Sequence, residues 1–256
     1  MTKLNRNRIE FKVKARHALF TDPLTRIGGE KCSYHLPTYE ALKGIAKSIY
    51  WKPTFIWFID EVRVMKRIRT QTKGTKPLFF GGGSKSTHDL AIYTFLFDVE
   101  YQVRAHFEWN PHRPELSQDR NSGKHNAVAR RMLERGGRQD IFLGTRDCLG
   151  YVEPCEFGNE KGDYDDSDEV AYGLMFHGFD YPDETGMNEN FEGELHARFW
   201  RPTMKNGVVR FLLPEECTIR KFIRPMGAKQ FDQGKNLRGI DTEAAELQLE
   251  VVDGLD

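Results

Sequence analysis

Between a polar turn and a basic helix, the stretch "DRNSGKHNAVARRMLERGG" (Asp119–Gly137) sets Lys124 beside His125. The free N–H groups and dipole of a helix start favour acids, so two potential cations there point to an anion arriving from outside. A bare helix N-terminus already attracts phosphate, and Lys124 and His125 would sharpen that attraction. Read alone, the stretch is also an ordinary exposed loop with an incidental histidine. The chemistry these residue types allow is nonetheless specific. In RNA the 2′-hydroxyl can attack the adjacent phosphate if a base takes its proton and a cation steadies the crowded phosphorane. Histidine titrates in the right range for that proton, and lysine supplies the charge. A tyrosine can orient the hydroxyl or help to deprotonate it, and Tyr50, at the end of an expected helix, is the candidate. Each positioned acid–base group typically contributes about 10²–10⁴-fold. Tyr50 and His125 are distant in the chain, so only the fold can bring them together.

The elements that must do so follow from periodicity and stop signals. "RIEFKVKA" (Arg8–Ala15) alternates apolar and charged residues and reads as a half-buried strand. Thr38 after Pro37 reads as the N-cap of a helix with Leu42, Ile45 and Ile49 on one face, stopped near Trp51 by Lys52-Pro53. Thr54–Gly74 reads as one long strand, and its basic tail, Lys66, Arg67, Arg69 and Lys73, is a candidate phosphate-facing ribbon. Thr94–Trp109 is a further strand, about Lys124–Arg135 a helix stopped by Gly136-Gly137, and "DIFLG" a short strand. The order β-α-β-β-α-β describes a ferredoxin-like sandwich, an α+β architecture common among RNA-binding modules. From about Tyr151 the composition changes to short strand-like runs around an acidic loop, "NEKGDYDDSDEV". This predicts a ferredoxin-like (RRM-like) domain over 1–150, a smaller antiparallel β subdomain over 151–230, and a helical or mobile tail over 231–256.

Composition narrows the partner. Lys+Arg and Asp+Glu both total 38, yet residues 1–140 carry 26 basic against 14 acidic side chains, and residues 141–256 carry 12 against 24. Such a split points to nucleic acid binding by the first half. That half also spaces Tyr34, Tyr39, Tyr50, Trp51, Trp57, Phe79 and Phe80 closely. Rings for unstacked bases plus cations for phosphates suit single-stranded or looped RNA, whereas Trp57, inside an apolar strand, reads as core. "FFGGGSKSTHD" lacks P-loop spacing, and there is no H-E-x-x-H or G-x-S-x-G. Asp163, Asp165, Asp166 and Asp168 miss the EF-hand pattern, with Asp168 at position six and Leu174 at position twelve, so a solvated charge run is expected and no metal or cofactor. His177 and His196 read as structural. Cys32, Cys148, Cys155 and Cys217 form no C-x-x-C pair, the opening "MTKLNRNRIEFKVKA" has no apolar signal core, and no long apolar run exists. A cytoplasmic protein with free thiols and no membrane partner is expected.

Two long stretches, "ALFTDPLTRIGGEKCSYHLPTYEALKGIAKSIYWKP" and "DRNSGKHNAVARRMLERGGRQDIFLGTRDCLGYVEPCEFG", with "GGGSKSTHDL" and "HGFDYPDETG", closely resemble the type I-C CRISPR-associated repeat-processing family. This is the Cas-five family, subtype d (also written c), of the RAMP superfamily, and the resemblance runs from about Arg8 to the 230s. It implies a ferredoxin-like domain with a smaller β-sheet domain. It also implies metal-independent cleavage of precursor CRISPR RNA 3′ of the repeat hairpin, leaving a 2′,3′-cyclic phosphate upstream and a 5′-hydroxyl on the guide. The implied partners are precursor and mature CRISPR RNA, the backbone and large subunits of type I-C Cascade, and target DNA through that complex. The family's catalytic tyrosine falls on Tyr50 in "IYW", and its Lys-His pair on Lys124 and His125 in "GKH". "GGRQDIFLG" matches the RAMP glycine-rich segment, placing Gly136, Gly137 and Arg138 near RNA, with Arg120, Arg130 and Arg131 as flanking candidates. Which of Tyr50 and His125 is the general base stays open at this level. The alternative is a non-catalytic subunit that holds the RNA 5′ handle, and a third reading is a metal-dependent phosphodiesterase built on the acidic loop.

Overall fold

The computed structural model describes residues 7–76, 90–184, 193–232 and 234–248. Phe79, Phe80 and most of "GGGSKSTHDL" lie outside them, as does the end of the tail. The strands are β1 (Arg8–Ala18), β2 (Lys31–Cys32), β3 (Phe55–Val64), β4 (Thr70–Thr75), β5 (Ala91–Trp109), β6 (Ile141–Phe142), β7 (Leu149–Pro154), β8 (Val170–Ala171), β9 (Met175–Asp180), β10 (Glu194–Trp200), β11 (Thr203–Lys205), β12 (Val208–Arg210) and β13 (Ile219–Pro225). The helices are α1 (Pro23–Ile27), α2 (Tyr39–Ile49), α3 (Ser122–Glu134) and α4 (Ile240–Glu246). Architecture is mixed α/β, with sheets that are mostly antiparallel.

β5 is the spine. β1 pairs along one of its edges, from Arg8↔His106 to Ala18↔Leu96, and β3 along the other, from Phe55↔Trp109 to Val64↔Tyr101. The first sheet runs β6-β7-β1-β5-β3-β12-β11-β8, with β2 and β4 also on β5, and β13-β10-β9 forms a second sheet. Alternation in β1 sends Ile9, Phe11, Val13 and Ala15 inward, as the two-residue period requires. The expected α2 face, Leu42, Ile45 and Ile49, is buried, and the Thr38 hydroxyl caps the helix from 3.2 Å by accepting from the Ala41 N–H.

Three expectations need correction. Thr54–Gly74 is two strands, because Asp98 adopts φ 54° in β5 and the opposing segment leaves the ladder. There the Arg67 N–H donates to Asp163 Oδ2 (2.9 Å) and the Ile68 N–H to the Tyr164 hydroxyl (3.0 Å). The acidic loop is therefore docked rather than freely solvated, with Asp165 held by Arg63 at 2.6 Å. "DIFLG" yields only the two residues of β6, and β7 supplies most of the pairing with β1, from Phe11↔Pro154 to Ala15↔Gly150. Gly144, closing that segment at φ 95°, has no room for a side chain: a Cβ would stand 2.0 Å from the Leu19 carbonyl. Beyond β3 the first sheet is extended by β8, β11 and β12. One buried cluster joins Phe11 and Trp57 to Met175, Trp200 and Cys217.

The second sheet carries a buried charge. Arg198, 1% exposed, donates to Asp180 and to the Phe179 carbonyl (2.8 Å), while Arg220 reaches the other Asp180 oxygen at 3.1 Å. His177 is stacked on Tyr39 at 4.3 Å and bonded to the Leu212 carbonyl at 3.0 Å, a structural role. Removing one partner of a buried pair strands the other charge. Asp180→Ala is accordingly expected to destabilise the protein by about 3–5 kcal/mol in urea unfolding; a loss near ~0.5 kcal/mol, the range of surface changes, would refute the role. The four cysteines are free, and among the described residues no helix is long and apolar enough to cross a membrane.

Candidate functional site

Asn121 caps α3 by accepting from the Lys124 N–H at 2.9 Å, which fixes Lys124 and His125 in the first turn. His125 points into the core, fully buried, with ring centroids of Phe55 at 5.1 Å and Trp109 at 5.7 Å. Tyr50 arrives from the end of α2, where the chain turns extended (φ −160°) and the Tyr50 carbonyl accepts from Trp57 Nε1 at 2.7 Å. The Tyr50 hydroxyl and His125 Nδ1 stand 2.8 Å apart, and His125 Nε2 is 2.8 Å from the Asp119 carbonyl. A carbonyl can only accept, so Nε2 carries the proton and Nδ1 accepts from the tyrosine O–H.

Burial shifts both groups further toward their neutral forms. It holds His125 well below its ordinary 6.5, against the opposing pull of Asp119, and raises the Tyr50 phenol well above its ordinary value. At neutral pH the pair is a neutral imidazole and a neutral phenol, with the imidazole the stronger base.

Cations ring this pair. Lys124 Nζ is 2.8 Å from Asp241, and Lys52 Nζ is 2.6 Å from Glu243. Arg138 also meets Glu243 and places its guanidinium 5.4 Å from the Tyr50 ring centroid. The turn before Arg138 depends on Gly137, whose φ of 103° favours glycine and whose Cβ would come within 3.2 Å of the Gln139 carbonyl. Burial pushes Lys52 down to about 8. Asp119 ties the site together: Oδ2 accepts from Thr54 Oγ1 at 2.7 Å, and Oδ1 accepts from the Ile240 N–H.

The basic ribbon lies elsewhere. Lys66 (2.8 Å) and Arg69 (2.6 Å) both pair with Asp98, and Lys73 sits over the Phe95 ring at 5.6 Å. Along β5, Asp98 and Trp109 are about 35 Å apart at strand rise. Arg67 shares that region, through its backbone bond to Asp163. Of the other candidates, Arg120 donates to the carbonyls of Asn110 (3.1 Å) and Arg113 (3.4 Å), Arg131 pairs with Glu134 at 3.7 Å, and Arg130 is exposed. Gly136 adopts φ 85° at the end of α3. Of the rings expected to stack on bases, Tyr39 and Tyr50 are buried and half-buried Trp51 packs against Phe231 at 5.8 Å, while Trp57 is core, as its apolar strand implies.

Sequence reasoning passed over Lys52, Thr54, Asp119 and the tail carboxylates. Asp119 stood in the quoted stretch but read as a turn residue, and Lys52 read only as part of a helix stop. For Asp241 and Glu243 no local signal ties a distant acidic tail to this place. In the acidic loop, Asp163 and Asp165 are turned onto protein donors. Among the described residues no three His, Cys, Asp or Glu side chains are grouped to hold a metal ion.

A family model described as CRISPR-associated protein (Cas_Cas5), of the Cas5d type, matches residues 8–212. A Mannheimia succiniciproducens protein named CRISPR pre-crRNA endoribonuclease Cas5d is 26% identical over 79% of this chain and 94% of its own length. A Thermus thermophilus protein of the same name is 27% identical over 57% of this chain and 64% of its own. A solved structure described as a CRISPR-associated protein superposes with a TM-score of 0.67, at 34% identity, covering 84% of this chain and 96% of that one.

Proposed function

The chain belongs to the Cas5d family of CRISPR-associated proteins, and from that premise we propose that it is an endoribonuclease that cuts precursor CRISPR RNA within the repeat, without a metal ion, and then stays on the 5′ handle as a Cascade subunit. The observation that carries the catalytic part is the 2.8 Å bond between the Tyr50 hydroxyl and His125 Nδ1, made by the residue that caps the end of α2 and one in the first turn of α3. His125 is the terminal proton acceptor, and Tyr50 relays the proton from the 2′-hydroxyl or orients it. The 2′-oxygen attacks phosphorus, the bond to the 5′-oxygen breaks, that oxygen takes a proton from water, and the proton collected on His125 returns to solvent. A 2′,3′-cyclic phosphate and a 5′-hydroxyl result. Lys124 offsets the charge that builds on the phosphorane, a task at which a fixed cation in a dry site is effective.

The order β7-β1-β5-β3, with α2 after the first of these strands in the chain and α3 after the third, supports a ferredoxin-like arrangement. In this reading that part carries the cleavage site, and the β9-β10-β13 sheet belongs to the smaller β subdomain.

Repeat RNA from the source organism's CRISPR array, incubated with purified protein in excess EDTA, tests the proposal. A single cut 3′ of the hairpin with a cyclic phosphate is expected. Cleavage abolished by chelation would overturn the metal-independent mechanism, and tight binding without a cut would make the chain a handle-holding subunit.

A further inference from the structure

Tyr50 and His125 are both 0% exposed. A 2′-hydroxyl must touch one of them, so something has to move before RNA can be cut. The segment that meets this site is 238–247, around α4. Ile240, at the start of α4, is 2% exposed and belongs to the main core cluster, and its N–H bonds to Asp119, whose carbonyl holds His125. Asp241 takes Lys124, and Glu243 takes both Lys52 and Arg138. Lys52 also donates to the Arg238 carbonyl.

The chemistry of these contacts is telling. Two carboxylates meet three cations beside the acid–base pair. Glu243 is 3% exposed, and neither of its oxygens has a well-aligned hydrogen-bond donor, so it is held by charge. A cluster of cations beside a base for the 2′-hydroxyl suits RNA phosphates at least as well as carboxylates, since phosphate oxygens accept in more directions.

We propose that Lys52 and Arg138, with Lys124, form a binding site for the backbone phosphates that flank the cut, and that Asp241 and Glu243 fill this site until RNA displaces the 238–247 segment. This rests on the endoribonuclease reading and adds to it two phosphate-binding residues and an internal competitor. Binding is then an exchange of anions: substrate phosphates replace carboxylates, α4 lifts, and Tyr50 and His125 become reachable. The closed state weakens apparent affinity by the inverse of the open fraction; a competent state of about 10% weakens binding tenfold.

Hydrogen exchange on the unaltered full chain tests this, with the repeat RNA blocked by a 2′-deoxy nucleotide 5′ of the cut as probe. Amides of residues 238–247 are expected to lose protection when this RNA binds; protection unchanged with RNA bound would overturn the proposal. Failure of the RNA to bind at all would instead sink the endoribonuclease reading, and this proposal with it. Two full-chain variants sharpen the outcome. Glu243→Gln should tighten RNA binding about tenfold by favouring the open state. Lys52→Gln should weaken binding and lower its slope in log salt by about 1. If Lys52→Gln binds RNA as the parent does, with the same slope, Lys52 is not a phosphate ligand and the proposal falls. Should either variant lose its fold, the exchange experiment decides.

Discussion

His125→Ala is expected to slow repeat cleavage by about 10²–10⁴-fold while RNA affinity changes little. The side chain is buried, and its one lone pair faces the Tyr50 hydroxyl, so it contributes a proton acceptor rather than a surface for RNA. Alanine also leaves a cavity beside Phe55, Phe107 and Trp109, and a melting curve must accompany the rate. Added imidazole separates chemistry from packing: partial recovery of cleavage is expected if the ring acts as a base. A loss of rate that imidazole does not restore, together with a matching loss of RNA affinity, would make His125 a binding or structural residue. The pH profile carries the same information. Burial keeps His125 below its ordinary 6.5, so it is unprotonated at neutrality. The acid limb of kcat/KM is therefore expected below pH 6.5, with activity falling as pH drops and the imidazole takes its proton. His125→Ala should erase that limb.

A substrate with a 2′-deoxy nucleotide immediately 5′ of the cut is expected to bind normally and not to be cleaved at all. The nucleophile in the proposed reaction belongs to the RNA, so removing one oxygen removes the reaction rather than slowing it. Affinity should persist, because phosphate contacts dominate binding and the backbone charge is unaltered. Continued cutting of the deoxy substrate would mean that an activated water is the nucleophile. The relay from Tyr50 to His125 would then need to deprotonate that water, and the cyclic phosphate would disappear from the products. These two experiments are independent: the first removes the acceptor of the proton, the second its donor.

Local patterns foresaw those elements that local physics dictates. β1 alternates because one face is buried, and α2 starts at Thr38 because a hydroxyl there satisfies a free N–H. Both could be read from a few adjacent residues. β3 and β4 looked like one strand because their break originates in β5, where Asp98 departs from the extended conformation, and in the acidic loop, which takes up the N–H groups of Arg67 and Ile68. No window along Thr54–Gly74 contains either cause. Lys66 and Arg69 read as a phosphate-facing ribbon by charge alone, and only the length of β5 shows how far that ribbon stands from His125.

The candidate chemistry divides in the same way. Residue types and their order in the chain sufficed to name Tyr50, Lys124 and His125 and the reaction such groups can perform, because proton affinity and charge belong to side chains before any folding. Contact, protonation and access belong to the folded chain. Only the packing of α2 against α3 sets a phenol 2.8 Å from an imidazole, only burial holds that imidazole well below its ordinary 6.5, and only the return of residues 238–247 puts carboxylates on Lys52, Lys124 and Arg138. Distances between residues far apart in sequence, and the loss of water around them, arise when the core closes, and no local pattern encodes them.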